Sequence, residues 1–297
     1  MSWLIVGTVP QKDFPLTCGK AVLNDRELVV NGCVSPVVRG TPALIAAACI
    51  ACITLKMESP DVLLCGDIGD GDGSRLIYRH LVAAGLKQKP YTGLLFHYLQ
   101  PDVDWHNRIL MAIDDLPLRP LLMADAGYMY VAKMSGYAAS YDLFTPDIGE
   151  LAFLADEKAP HPFYTRGFLL HEDKAAPDLI QQAVSNGNAA RHLLVKGKND
   201  YVVADGVIVD VISSPSVEVM EPIGGTGDSL AGVVAALIAS GMSIPKACSQ
   251  AARINRTMGL LANPTPAFAI FDLLASLPQA IMQCAPPPSP QKQSEPV

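Results

Sequence analysis

The chain has few charged residues and few aromatic ones. Of its 297 residues, 17% are Asp, Glu, Lys or Arg and 6% are aromatic, whereas 50% are apolar. So many apolar residues can build a large core, which excludes global disorder. The 22 basic residues are outnumbered by 29 acidic ones and are scattered. This distribution argues against a surface that binds duplex nucleic acid.

The sequence also lacks a long hydrophobic run. The most apolar segment, residues 43–55, spans 13 residues, whereas a membrane-spanning helix needs roughly 20. The N-terminal segment has neither the basic start nor the apolar stretch of a signal peptide. Seven cysteines in such a chain are expected to be free thiols in a reducing compartment. We therefore expect a cytoplasmic protein without a membrane partner.

Short apolar runs alternate with segments of helix length. Near-continuous apolar strands separated by helices favour a mainly parallel sheet covered on both faces. The dipeptide Asp205-Gly206 predicts a tight hairpin between the last two strands. We predict strands at residues 3–6, 62–65, 94–99, 121–124, 192–196, 201–204 and 207–212, and helices at residues 42–55, 74–84, 105–113, 149–156, 174–186, 228–240, 244–261 and 268–283.

The chain contains no internal repeat and no linker rich in proline or glycine. We therefore expect one α/β domain over residues 1–284. The remaining residues, 285–297, lose the apolar periodicity and are rich in proline and polar residues. Such a tail is expected to be disordered.

The most informative segment is Gly225-Thr226-Gly227-Asp228, where a predicted helix begins. Glycines before a helix let backbone N–H groups converge, and the helix dipole adds positive potential, so the segment suits a phosphate. A carboxylate at Asp228 would repel phosphate, but it could act as a base on a hydroxyl that attacks phosphorus. Alternatively, Asp228 only caps the helix. The residues alone leave both interpretations open.

Residues 225–232 (GTGDSLAG) resemble the anion-hole motif of the ribokinase-like superfamily. Within it they are most similar to the ADP/ATP-dependent NAD(P)H-hydrate dehydratase family, often labelled "carbohydrate kinase". The resemblance extends from about residue 40 to residue 283 and implies a three-layer α/β/α fold with a mainly parallel central sheet. Other segments follow the order of the family: residues 62–69 (VLLCGDIG), 120–126 (PLLMADA), 145–151 (TPDIGEL), 195–197 (VKG) and 274–280 (LASLPQA).

The resemblance also implies roles for individual residues. Asp228 corresponds to the catalytic base, and Glu150 to a residue that helps to organise Mg²⁺ or phosphate. The residues expected to bind the nucleotide are Gly225, Thr226, Gly227, Lys196 and Asn255. The residues expected to bind the substrate are Gly66, Asp67, Gly69 and Asp125.

Several of these residues have a simpler interpretation. Asp67, Asp70 and Asp72 also fit ordinary turn chemistry in a glycine-rich loop. Glu150 could only offset a helix dipole, and Lys196 could be a solvated lysine at a strand end. These alternatives stay open at the level of the sequence.

The chain departs from the family on the substrate side. Residues 66–69 (GDIG) replace the proline and the second glycine of its GPGLG loop, and Asp147 and Ile148 replace the His-Pro of its TPHPGE segment. The family's early glycine-serine segment has no clear counterpart, although residues 39–41 (RGT) stand in that place. Use of a nucleotide is therefore better supported than the identity of the substrate.

The expected function is nucleotide-dependent repair of NAD(P)H hydrate, with ADP or ATP and Mg²⁺ as cofactors. The alternatives are an ATP-dependent kinase for a sugar, vitamin or other small alcohol, and a nucleotide-binding family member without catalysis. The expected partner is a small-molecule substrate, and the sequence leaves open whether the chain forms a homo-oligomer. His97 and His192 lie in apolar strands and are predicted to be core residues with satisfied hydrogen bonds.

Overall fold

Strands and helices alternate along the chain in the computed structural model, which describes residues 2–83, 85–159 and 176–284. The strands are β1 (Trp3–Val9), β2 (Thr17–Asn24), β3 (Glu27–Val30), β4 (Cys33–Pro36), β5 (Asp61–Gly66), β6 (Gly93–His97), β7 (Leu121–Asp125), β8 (Leu143–Phe144), β9 (His192–Val195), β10 (Asp200–Ala204) and β11 (Val207–Ile212). The helices are α1 (Thr41–Thr54), α2 (Asp72–Ala83), α3 (Val103–Asp114), α4 (Gly127–Met134), α5 (Ile148–Ala155), α6 (Ala176–Ser185), α7 (Thr226–Ala239), α8 (Ile244–Ala262), α9 (Ile270–Leu274) and α10 (Leu277–Cys284).

All of these strands belong to one sheet in the order β11-β10-β9-β8-β7-β6-β1-β5-β2-β3-β4. The run from β9 to β5 is parallel, and the strands beyond each end of it are antiparallel. Every residue of the central strand β1 is buried. A parallel strand covered on both faces has this continuous apolar character, so the predicted mainly parallel sheet is confirmed.

Helices cover both faces of the sheet. Alternate residues of β1 belong to different apolar clusters: Ile5 packs with α1 and α7 to α10, whereas Val6 packs with α2 to α6. The architecture is therefore the predicted three-layer α/β/α arrangement. Among the described residues, no helix combines the length and the hydropathy needed to cross a membrane.

The late hairpin is confirmed. Asp205 and Gly206 connect β10 to β11, and both have positive φ, 49° and 80°. Two consecutive residues of positive φ form the type I′ turn that fits the twist of a hairpin.

Four parts of the predicted element pattern are wrong. Helix α4 (Gly127–Met134) and the short strand β8 (Leu143–Phe144) were not predicted. The antiparallel meander β2–β3–β4 was not predicted, although Asn31 and Gly32 form its second turn with φ of 47° and 80°. The predicted helix 268–283 is divided into α9 and α10, because Pro278 lacks an N–H donor and interrupts a continuing helix. The tail 285–297 and residues 84, 174 and 175 of two predicted helices lie outside the described residues.

Helix α1 lies unusually close to α7. A β-carbon added at Gly232 of α7 would stand 2.1 Å from the carbonyl oxygen of Leu44 and 3.1 Å from the amide nitrogen of Ala48. Only a glycine permits the two backbones to approach this closely. The contact fixes the amino end of α1 next to that of α7, where the functional residues are found.

Replacing Gly232 with alanine is expected to lower the free energy of unfolding by about 1–3 kcal/mol, because the added carbon overlaps backbone atoms of α1. Gly227→Ala in the same helix is the matched control. Its added carbon would meet Lys196 at an ordinary distance of 3.6 Å. Urea denaturation measures both variants, and a Gly232→Ala protein as stable as the wild type would contradict the importance of this contact.

Candidate active site

A cleft opens at the carboxyl ends of β6, β7 and β9, beside the amino ends of α5 and α7. Its volume is about 1080 Å³. Ligands of open α/β sheets bind at this end of the strands. Of the residues predicted from the sequence, those that line the cleft are Asp125, Glu150, Lys196, Thr226, Gly227, Asp228 and Asn255.

The glycine-rich segment forms the amino end of α7. Gly225 precedes the helix with φ of +98°, and a β-carbon there would lie 3.1 Å from Ile270 and 3.3 Å from Ala43. Conformation and space therefore both require glycine at this position. The first N–H groups of a helix have no acceptor within it. Those of Thr226 and Gly227 consequently form a site of positive potential beside the cleft.

Asp228 is held by donors from two other elements. Its Oδ2 accepts a hydrogen bond of 2.7 Å from the Gly40 amide, and its Oδ1 lies 3.1 Å from Nε2 of His97. Burial alone would raise the pKa of Asp228, but the hydrogen bond and charge of His97, the charge of Lys196 and the Gly40 amide hold this pKa below its usual value. The carboxylate is therefore ionised, as a base must be before it accepts a proton.

Gly40 donates to Asp228 because of its backbone conformation. Its φ of 67° and ψ of −147° belong to a region that essentially only glycine adopts. In this geometry its N–H points across to α7. The segment Arg39-Gly40-Thr41, which in the sequence stands in the place of the family's glycine-serine segment, thus contributes directly to the environment of the candidate base.

His97 is a candidate functional residue that sequence reasoning missed. It is fully buried with both ring nitrogens bonded, as expected of a core histidine, but one of its partners is Asp228. A carboxylate only accepts hydrogen bonds, so Nε2 of His97 carries a proton and donates it to Asp228, while Nδ1 is hydrogen-bonded to the Thr41 hydroxyl at 2.9 Å. The signal in the sequence was a histidine at the carboxyl end of a parallel strand.

Lys196 and Asp125 form an ion pair at the centre of the cleft. Nζ of Lys196 lies 2.8 Å from Oδ1 of Asp125, whose side chain is 1% exposed. Burial alone would lower the pKa of Lys196, but the charges of Asp125 and Glu150 raise it above its ordinary value. The ammonium group also lies beside Gly227, so it stands next to the position where the glycine-rich segment would bind a phosphate.

The second oxygen of Asp125 is buried without a hydrogen-bond partner among the described residues. It lies 3.9 Å from Nε2 of His97. His97, Asp125 and Asp228 each offer a potential metal ligand, and these three atoms lie within 4.8 Å of one another. Lys196 already supplies positive charge there, which disfavours a metal ion among them.

Glu150 lies at the start of α5. It forms a capping box with Asp147, in which each side chain accepts from the other residue's amide, at 2.7 and 2.8 Å. Burial raises the pKa of Glu150, and the neighbouring carboxylates Asp147 and Asp125 raise it further. A carboxylate destabilised in this way fits a divalent cation, which would offset the charge and is bound through oxygen.

Asn255 of α8 lines the cleft opposite the start of α7. Its Oδ1 lies 3.5 Å from the Ser229 hydroxyl, which itself donates to the Thr226 carbonyl at 2.9 Å. Helix α8 is thus tied to the first turn of α7.

In the segment after β5, the Asp67 carboxylate is hydrogen-bonded within the same segment. The Asp67 carboxylate accepts from the amides of Gly69, Gly71 and Ser74 and from the Ser74 hydroxyl, at 2.8–3.0 Å. Burial alone would raise the pKa of Asp67, but these hydrogen bonds hold it below its usual value. Gly66, Asp67 and Gly69 are not among the described residues that line the cleft.

The fold is shared with solved structures of several enzymes. The ADP/ATP-dependent NAD(P)H-hydrate dehydratase of Bacillus subtilis, co-crystallised with ATP and Mg²⁺, aligns with a TM-score of 0.56 over 95% of this chain and 90% of its own, at 13% identity. Phosphofructokinase-2 of Escherichia coli, in complex with substrates and products, gives 0.54 over 95% and 100%, at 12% identity. Ribokinase of Cryptococcus neoformans, in complex with ADP, gives 0.53 over 94% and 98%, at 13% identity.

At this level of identity the likeness shows the fold, which is the ribokinase-like fold expected from the sequence. No family model matches the chain. Its sequence is 38% identical to the uncharacterized protein MJ1337 of Methanocaldococcus jannaschii over 221 residues, which are 74% of this chain and 90% of the archaeal protein. The chain belongs to the same family as this archaeal protein.

Replacing His97 with alanine removes a donor that lowers the pKa of Asp228. A base acts only above its pKa, so the activity of the variant is expected to fall at a higher pH on the acid side than that of the wild type. Loss of a hydrogen bond to a charged group should also lower kcat/KM about tenfold or more. A pH–rate profile with the substrates of the next subsection measures both effects.

His97→Gln serves as the control, because its amide nitrogen can donate one hydrogen bond to the same oxygen. This variant is expected to move the acid limb less than alanine does. An alanine variant with the wild-type acid limb would show that His97 has no influence on Asp228.

Proposed function

We propose that the protein is a nucleotide-dependent enzyme that phosphorylates a hydroxyl group, with residues 1–284 as one catalytic domain, and that its substrate is NAD(P)H hydrate. The observation that carries the proposal is the ionised Asp228 at the amino end of α7. It is bonded to Gly40 and His97 and lies next to glycine amides that suit a phosphate. A carboxylate in this position is suited to accept a proton from an attacking hydroxyl.

In the proposed reaction Asp228 takes the proton from the hydroxyl on the hydrated nicotinamide ring. The freed oxygen attacks the terminal phosphorus of the nucleotide, so that a new O–P bond forms as the bond to the leaving nucleotide breaks. The phosphate then leaves the ring carbon with the C–O electron pair. Loss of a proton from the adjacent carbon gives the double bond of NAD(P)H. With ATP, the products are ADP, phosphate and NAD(P)H.

The remaining residues would bind the nucleotide. The amides of Gly225, Thr226 and Gly227 would donate to its phosphates, Lys196 would offset their charge, and Asn255 would lie near its base. When bound, Mg²⁺ would neutralise the phosphate oxygens, and Glu150 is the residue suited to hold it. Among the residues that line the cleft the acidic outnumber the basic, which supports a bound cation whenever a polyphosphate enters.

A kinase for another small alcohol is the alternative. The same Asp228 and glycine amides would serve it, because phosphoryl transfer to any hydroxyl needs the same base and anion site. The observation that favours it is the self-bonded loop at Asp67, since this loop occupies the position of the family's substrate loop and differs from it in sequence.

Incubation with NADH hydrate and either ADP or ATP in the presence of Mg²⁺ is expected to restore the absorbance of NADH. Asp228→Asn keeps the size of the side chain but is a much weaker base, so this rate should fall by about 10²- to 10⁴-fold. Asp104→Asn is the matched control, because Asp104 also lies in the first turn of a helix, α3, but is 68% exposed.

Full activity of Asp228→Asn would show that this carboxylate is not the base and only connects α7 to Gly40 and His97. If NADH hydrate is not consumed while a panel of sugars and vitamins is phosphorylated, the kinase alternative replaces the dehydratase.

ADP and ATP with Mg²⁺ are expected to raise the unfolding temperature, because a ligand that binds only the folded state stabilises it by about 2.7 kcal/mol at 100 times its dissociation constant. AMP should have a smaller effect, since it lacks the phosphates that the glycine amides would bind. Thermal unfolding with each nucleotide measures this order. A protein that responds to none of them would contradict nucleotide use, and with it both enzymatic functions.

A further inference from the structure

Tyr98 presents an aromatic ring to the cleft. It directly follows β6, lines the same cleft as Asp228, and is 51% exposed. A large aromatic side chain so exposed beside a candidate base is available to a ligand. Neither the roles implied by the sequence nor the proposed reaction uses it.

The backbone of Tyr98 is held in an uncommon conformation. Its φ is +48°, which is a genuine outlier for a bulky residue and is characteristic of functional sites. Its carbonyl accepts a hydrogen bond of 2.5 Å from the Thr8 hydroxyl. Two residues later, the Gln100 amide donates a hydrogen bond of 3.0 Å to the Ser74 hydroxyl oxygen, and the Gln100 carbonyl accepts one of 2.6 Å from the Tyr78 hydroxyl. The surrounding structure thus fixes the backbone that carries the ring.

The ring packs against the residues that hold the base. It meets the His97 ring edge to face, with centroids 4.5 Å apart and planes at 88°. Two carbons of the Tyr98 ring would lie 3.8 Å from a β-carbon added at Gly40. His97 and Gly40 are the two donors to Asp228. A group resting on the exposed part of the Tyr98 ring would therefore lie close to the carboxylate.

We propose that Tyr98 is the stacking platform for the planar, conjugated part of a ring of the substrate, the ring whose hydroxyl is directed to Asp228. This inference rests on the proposed function and narrows the substrate class. A ring with a conjugated or heteroaromatic face, such as the hydrated nicotinamide with its conjugated carboxamide, gains from stacking on tyrosine. A sugar is held chiefly by polar groups, and Asp67, the carboxylate expected to bind substrate, is already engaged with its own loop.

Kinetics of two variants test the platform. Tyr98→Phe keeps the ring, whereas Tyr98→Asn removes it and introduces a residue that tolerates positive φ. With NADH hydrate and saturating ATP, the phenylalanine variant should keep the wild-type KM within about twofold. The asparagine variant should raise the KM for NADH hydrate by about 5- to 150-fold, as expected for a lost stacking contact. The KM for ATP should be unchanged in both.

Binding measurements separate this inference from the proposed function. Calorimetry with nicotinamide mononucleotide and pyridoxine as flat-ring probes, and with ribose and glycerol as saturated probes, is carried out with ADP and Mg²⁺ saturating, so that the adenine position is filled. Flat-ring probes should bind the wild type and the phenylalanine variant more tightly than the asparagine variant. That pattern supports the platform even if NADH hydrate is not a substrate. Failure of NADH hydrate to react would contradict only the proposed dehydratase function.

Three results would overturn the inference. They are equal binding of the flat-ring probes by wild type and Tyr98→Asn, no binding of these probes by wild type, and an equal dependence of ribose binding on Tyr98. Thermal unfolding of Tyr98→Asn checks that it is folded. If it is not, Tyr98→Leu supplies a second variant without the ring, and the same comparisons decide.

Discussion

The ion pair between Lys196 and Asp125 is the interaction on which the electrostatics of the cleft depends. A buried carboxylate such as Asp125 is stable as an anion only beside a positive charge, and the ammonium group at 2.8 Å supplies it. The charge of the same ammonium group also acts to lower the pKa of Glu150 and the pKa of Asp228. The positive charge of Lys196 thus offsets the repulsion among three carboxylates in one cleft. A polyphosphate that enters would compete with these carboxylates for contact with the ammonium group. A metal ion brought in with the nucleotide would relieve that competition.

Glycines bring the parts of this site within hydrogen-bond distance. A β-carbon at Gly7 of β1 would stand 2.5 Å from the His97 carbonyl oxygen and 2.7 Å from the Thr41 side chain. Its absence lets the first turn of α1 lie directly over β1 and β6. Gly232 has the same effect between α1 and α7. Three elements that are distant in sequence, α1, β6 and α7, therefore meet at Asp228. They approach to a distance that residues larger than glycine would prevent.

Local patterns predicted the parallel sheet, the late hairpin and the glycine-rich start of α7, because each is determined by neighbouring residues. The meander β2–β3–β4 was missed, since its strands are partly exposed and lack a continuous apolar run, and β3 and β4 have only 4 residues each. His97 could not be distinguished from an ordinary core histidine, because its role is set by Asp228, 131 residues away in sequence. Asp67 shows the converse, since its acidic glycine-rich loop suggested a ligand site but its hydrogen bonds are internal.

The segment proposed to bind the nucleotide resembles the family's motif, whereas the segments proposed to bind the substrate depart from it. This difference has a physical reason. Binding phosphates needs only backbone amides and one cation, so a turn of fixed geometry suffices for many sequences. Discriminating one acceptor from another needs side chains that are not already bonded to the protein. The Asp67 carboxylate is already hydrogen-bonded to amides of its own loop, whereas the Tyr98 ring still has exposed surface. Under the proposal for Tyr98, the choice of acceptor therefore falls to the segment after β6, next to the residues that hold the candidate base.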